Sequence, residues 1–106
     1  MMLGEDKKPG NIILSGFDLE PVEMDTARKI IESHAKKLSE ICSYEKLCLT
    51  LKTSQHGKAF LHELKTHVNL KSGNPIIAED TDYNLYTAIS KIMEKIIKQA
   101  RHNSKC

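Results

Sequence analysis

The sequence predicts an α+β domain of order β-α-β-β-β-α, a four-stranded sheet with two helices packed on one face. Three observations carry this. Residues 24–42 and 84–99 place apolar side chains at the 3.6-residue spacing of amphipathic helices. Residues 46–52 and 59–71 alternate apolar and polar side chains with the period of two that a half-buried strand requires. Three successive strands joined by short turns then form an antiparallel meander, whose other face is polar and wet.

Each element has its own signature. Residues 1–10 (MMLGEDKKPG) are short, polar and acid-containing, unlike a secretory leader, and read as a flexible N-terminal segment ahead of a single domain over 11–106. Residues 11–15 (NIILS), closed by Gly16, read as a short aliphatic strand. A turn containing Pro21 precedes the first helix. There Met24, Ala27, Ile31, Ala35, Leu38, Ile41 and Cys42 share one face, and Glu23 and Asp25 suit the positive helix terminus. Leu47, Leu49 and Leu51 mark the inner face of the second strand, and residues 54–58 (SQHGK) read as a Gly-containing turn. Leu64, Thr66, Val68 and Leu70 mark one side of the third strand, and Ser72, Gly73 and Asn74 a second turn. Residues 75–79 (PIIAE) are the last strand, with Asp80, Thr81 and Asp82 as N-caps for the final helix. Its apolar stripe is Leu85, Ile89, Ile92, Met93, Ile96 and Ala100, widened by Tyr86 and Ile97.

Composition sets outer bounds. The chain has 106 residues, 40% hydrophobic and 28% charged, with a mean hydropathy of −0.41, which suits one soluble domain with one core. No apolar run approaches the ~18 residues of a membrane span. Cys42, Cys48 and Cys106 form no CxxC pair and read as free thiols in a reducing cytoplasm, with Cys42 packed inside. The net charge is only +2, yet residues 82–106 carry five cations against two acids. The basicity is local.

That local charge is the candidate site. Lys91, Lys95, Lys98, Arg101 and Lys105 lie opposite the apolar stripe, with Glu94 the one acid among them. A localised cationic face suits a polyanion, whose phosphates attract Lys and Arg irrespective of sequence. Lys29, Lys36 and Lys37 on the first helix extend the surface, interrupted by Glu32 and Glu40. Aromatics make up only 5% of the chain, a poor fit to base-stacking platforms. Of the five histidines, His34 falls in an apolar stripe as a hydrogen-bonded core residue. His62 and His67 point to opposite faces of one strand and cannot chelate one ion, so no metal site is expected. No nucleophile triad or phosphate-binding Gly loop appears, and neither catalysis nor a cofactor is expected.

Several strings, in order, resemble the short form of the ribosome hibernation-promoting factor (protein Y) family. They are Ser15-Gly16, residues 64–70 (LKTHVNL), Ile77-Ala78-Glu79, residues 84–90 (NLYTAIS), Glu94-Lys95-Ile96 and Lys98-Gln99. The resemblance covers residues 11–102. Asn84 and Ser90 stand where the family carries acids, and the segment after Gly16 is about two residues longer, with the usual Thr-x-Ala-Leu helix opening poorly kept. The resemblance implies a non-enzymatic, cytoplasmic translation inhibitor. Such a protein is expected to occupy the tRNA–mRNA channel of the small ribosomal subunit through the basic helical face. It is also expected to be monomeric off the ribosome, without a membrane or small-molecule partner and without the C-terminal dimerisation domain of long members. A protein-interaction domain using the open sheet face or an edge strand is the alternative.

Overall fold

The computed structural model describes residues 10–71 and 73–102. Of the expected flexible segment at 1–10, residues 1–9 lie outside the described residues, as do Ser72, Lys105 and Cys106. The element order is β1 (Asn11–Ser15), α1 (Pro21–Ile41), β2 (Tyr44–His56), β3 (Ala59–Leu70), β4 (Ile76–Asp82) and α2 (Leu85–His102). One four-stranded sheet has the order β1-β2-β3-β4. β1 runs parallel to β2, because α1 carries the chain back across the sheet. The remaining pairs are antiparallel.

Four boundaries differ from the sequence expectation, each for a local reason. α1 begins three residues earlier: Pro21 takes the first helical position, where its missing N–H is not needed. Glu23 Oε1 also accepts the Glu20 N–H at 3.3 Å, tying down the helix start. β2 continues through Ser54, Gln55 and His56, so the turn shrinks to Gly57 and Lys58. Gly57 has φ 65° and Lys58 a negative φ, which fits a two-residue II′ hairpin with glycine first. β4 runs on to Asp82, and the cap of α2 is Asn84 instead of Asp80, Thr81 or Asp82. Its Oδ1 accepts the Thr87 N–H at 2.9 Å.

Both helices cover the same sheet face. Ala27, Ile31, Ala35 and Leu38 of α1 meet Ala88, Ile89, Ile92, Met93, Ile96 and Ala100 of α2 over Leu47, Leu49, Leu64 and Val68, each 1% exposed or less. Truncating one of these large aliphatics leaves a cavity and costs roughly 2–5 kcal/mol. The opposite sheet face is open. One cross-strand row there joins Ile13, Cys48, His67 and Ile77 in register, with Ile13 and Ile77 exposed. Cys42 corrects the expectation of three free thiols: it is buried and disulfide-bonded, whereas Cys48 is a free thiol.

Candidate nucleic-acid interface

The eight cations predicted to face a polyanion divide by position. Along β4, residues Ile76, Ala78, Asp80 and Asp82 keep the inward parity, the first two buried and the two aspartates half-buried. The carboxylates therefore face the flank of α2. Lys91 Nζ lies 3.4 Å from Asp80 and 3.2 Å from Asp82, and Lys95 Nζ lies 3.3 Å from Asp80. These two lysines are held by acids that sequence reasoning assigned to capping.

The same flank reaches the backbone. Lys91 donates to the Thr81 carbonyl at 3.3 Å, Lys95 to Glu79 at 2.9 Å and Gln99 to Ile77 at 3.3 Å. Positions i, i+4 and i+8 of the helix thus meet every second carbonyl of the outer strand. An edge strand otherwise presents these acceptors to any passing chain, and native proteins cover them. Lys91 and Lys95 accordingly have a structural role fixed by five contacts with β4 side chains or carbonyls.

The electrostatics agree. For Asp80, burial is the largest influence and acts to raise its pKa. The Thr81 N–H and the Lys95 and Lys91 ammonium groups outweigh it, leaving the carboxyl below its ordinary value. Asp82 is lowered first by the Asn84 N–H and then by Lys91. Lys91 is raised, chiefly by its hydrogen bond to Asp82 with Asp80 alongside. Because both aspartates are lowered, the unfolded chain takes up protons first as pH falls. Their stabilisation is full above about pH 4 and is lost as pH drops through the lower folded values. Lys91 has the opposite sign: its contribution is full below about pH 10 and is lost as pH rises through its folded value. Asp80→Asn is expected to cost about 1 kcal/mol near neutrality. Urea unfolding at about pH 6 and about pH 3 should show wild type losing more stability between them than the variant. Equal losses would remove Asp80 from this role.

The remaining cations lie elsewhere. A groove of about 580 Å³ runs between α1 and α2, lined by His34, Lys37, Glu94, Ile97, Lys98, Arg101 and His102. Here Lys37 from one helix joins Lys98 and Arg101 from the other, with one acid, Glu94, among the described lining residues. Among the described residues, Lys37, Lys98 and Arg101 form no side-chain ion pair or hydrogen bond, and Glu94 does not pair with Lys98. Arg101 and His102 also sit in the last turn of α2, where positive charge complements the helix dipole. A shallower depression of about 260 Å³ lies alongside, lined by Asp80, Lys91, Glu94, Lys95 and Lys98. Lys29 is on the solvent side of α1, 3.2 Å from Asp25, and Lys36 is exposed outside the groove. His34 and His102 are groove residues that charge counting passed over.

Several solved structures share this fold. The N-terminal domain of Thermus thermophilus Protein Y is 22% identical, with a TM-score of 0.62, covering 90% of this chain and 98% of that one. A ribosomal subunit interface protein from Coxiella burnetii is 15% identical, with a TM-score of 0.64, covering 91% and 99%. Among curated proteins, none matches the chain. A family model described as Sigma 54 modulation protein / S30EA ribosomal protein matches residues 23–105, and the chain belongs to that family, the hibernation-promoting factors of the sequence resemblance.

Proposed function

We propose that this chain is a non-enzymatic hibernation factor that binds the small ribosomal subunit in its tRNA–mRNA channel and silences it by occupancy. The cytoplasm is then its place of action, and off the ribosome it is a monomer. One observation carries the reading: Lys37, Lys98 and Arg101 converge from two helices on an open groove with a single acid among its described lining residues. Structured RNA is held through phosphates and shape, which such a groove supplies without aromatic stacking. Lys91 and Lys95 lie beside the groove and add to its field, but their tips are committed to β4.

Co-sedimentation with purified small subunits at low and high salt tests this. Three phosphate contacts predict an affinity that falls with a log–log salt slope of at least about −2. Binding insensitive to salt would instead favour the open sheet face as a protein-docking surface. The exposed Ile13 and Ile77 in one row give that second reading its physical basis. An Ile77→Asp change would then abolish binding, and on the RNA reading it leaves binding intact.

A further inference from the structure

The groove contains two imidazoles whose geometry says more than their presence. His34 Nδ1 lies 2.8 Å from the Ile30 carbonyl oxygen, one turn back on α1. A carbonyl oxygen only accepts, so Nδ1 carries the hydrogen, and the neutral ring keeps its lone pair on Nε2. Nε2 has no partner among the described residues, while the ring lines the groove. In this tautomer the neutral ring offers a phosphate only a lone pair. Protonation turns Nε2 into a donor without disturbing the bond from Nδ1 to Ile30. His102 lines the same groove from α2.

We propose that His34 is a direct phosphate ligand of this groove, seconded by His102, and that each binds an RNA phosphodiester as imidazolium. The inference rests on the reading of the groove as an RNA site. One proton enters from solvent for each neutral ring that engages, and the new N–H donates to a phosphate oxygen. No covalent bond changes. Among the described residues, the charged groups facing His34 are Lys37 on its own helix and Glu94, Lys98 and Arg101 on α2. The three cations draw the phosphate in, and the seated phosphate favours the protonated ring. Among the described lining residues Glu94 is the one group that could compete for the imidazolium, so it belongs in the test. Imidazole is the side chain whose charge ordinarily changes between pH 5 and 8, so binding becomes proton-linked there.

The experiment measures affinity for purified small subunits at fixed ionic strength between about pH 5.5 and 8. Wild-type affinity should rise as pH falls, by up to about tenfold per pH unit for each proton taken up. The His34→Gln/His102→Gln variant should lose the gain in affinity at the acid end and show a flattened profile. Glu94→Gln should keep the slope, as should His67→Gln, which alters only the far sheet face. A double variant with the wild-type slope overturns the proposal, as does a slope lost in Glu94→Gln. NMR titration of the His34 ring supplies a second arm, with a short RNA duplex as probe. The titration midpoint should move up when RNA is added, and an unmoved midpoint overturns the proposal. Salt-dependent subunit binding with a flat pH profile defeats this inference alone. A midpoint that moves with RNA while subunits fail to bind defeats the ribosomal reading alone.

Discussion

Replacing Lys37, Lys98 and Arg101 together with glutamine is expected to weaken small-subunit binding on the order of 100-fold while leaving the fold intact. Among the described residues each side chain is unpaired, so no described carboxylate is orphaned by its loss. Each phosphate contact by a cation contributes about 1 kcal/mol or more, and about 1.4 kcal/mol is a factor of ten. The salt slope should also flatten by about 2, since three counterion-releasing contacts disappear. A Lys91→Gln/Lys95→Gln variant is the informative counterpart. It strips charge of the same sign from α2, yet it takes the ammonium partners from Asp80 and Asp82 and releases the Thr81 and Glu79 carbonyls. Its main effect should appear as a lowered unfolding midpoint, with a smaller loss of affinity. If the two variants exchange these phenotypes, the groove is not the RNA surface.

Gly16→Ala should be among the most damaging single changes to stability, at about 3 kcal/mol. Two costs act together. Gly16 has φ +75°, a left-handed conformation that costs a β-carbon-bearing residue roughly 1 kcal/mol. An added Cβ would also stand 2.2 Å from the Leu51 carbonyl oxygen, which is backbone and cannot rotate away. Relief requires the end of β1 to separate from β2, weakening the adjacent Ser15–Thr50 pair. For a chain of this length the melting temperature should fall by roughly 10–20 °C. A fall of only a few degrees would show that the strand end yields easily. Gly57→Ala offers a comparison: its φ is 65°, but nothing lies near an added Cβ, so only the backbone cost applies.

Much of this architecture was legible in the chain. The β1 span matches the aliphatic run at 11–15, and the buried set of α2 is the stripe read from Leu85 to Ala100 with Ala88 added and Tyr86 only half-buried. These are large apolar side chains at fixed period, and burial enforces the period. The hairpin was less legible because Ser54, Gln55 and His56 lie beyond the core and carry no apolar alternation. Only hydrogen bonding to Leu61, Phe60 and Ala59 keeps them extended. The aspartates had a visible signal that was passed over. Asp80 and Asp82 continue the inward parity of Ile76 and Ala78, so they face a helix and are poorly placed as caps.

The site divided for a geometric reason. A helical projection separates polar from apolar residues, but it does not say which polar flank meets a strand edge or a second helix. Lys36 and Lys37 differ by about 100° around α1, and that rotation alone puts one outside the groove and the other in it. His34 was read as a hydrogen-bonded residue of the core stripe. Its hydrogen bond is present, but the ring is only half-buried and borders the groove.

The lacing of α2 to β4 has an arithmetic of its own. Four helical residues advance about 6.0 Å, while two residues of an antiparallel strand advance about 6.8 Å. Successive rungs therefore drift apart by about 0.8 Å, a vernier that flexible lysine and glutamine stems absorb over three rungs and not over many. A guard of this kind has a maximum span. Lengthening β4 by a further pair or two of residues would outrun the helix beside it and bare fresh carbonyls, so the brevity of this strand is a condition of its protection.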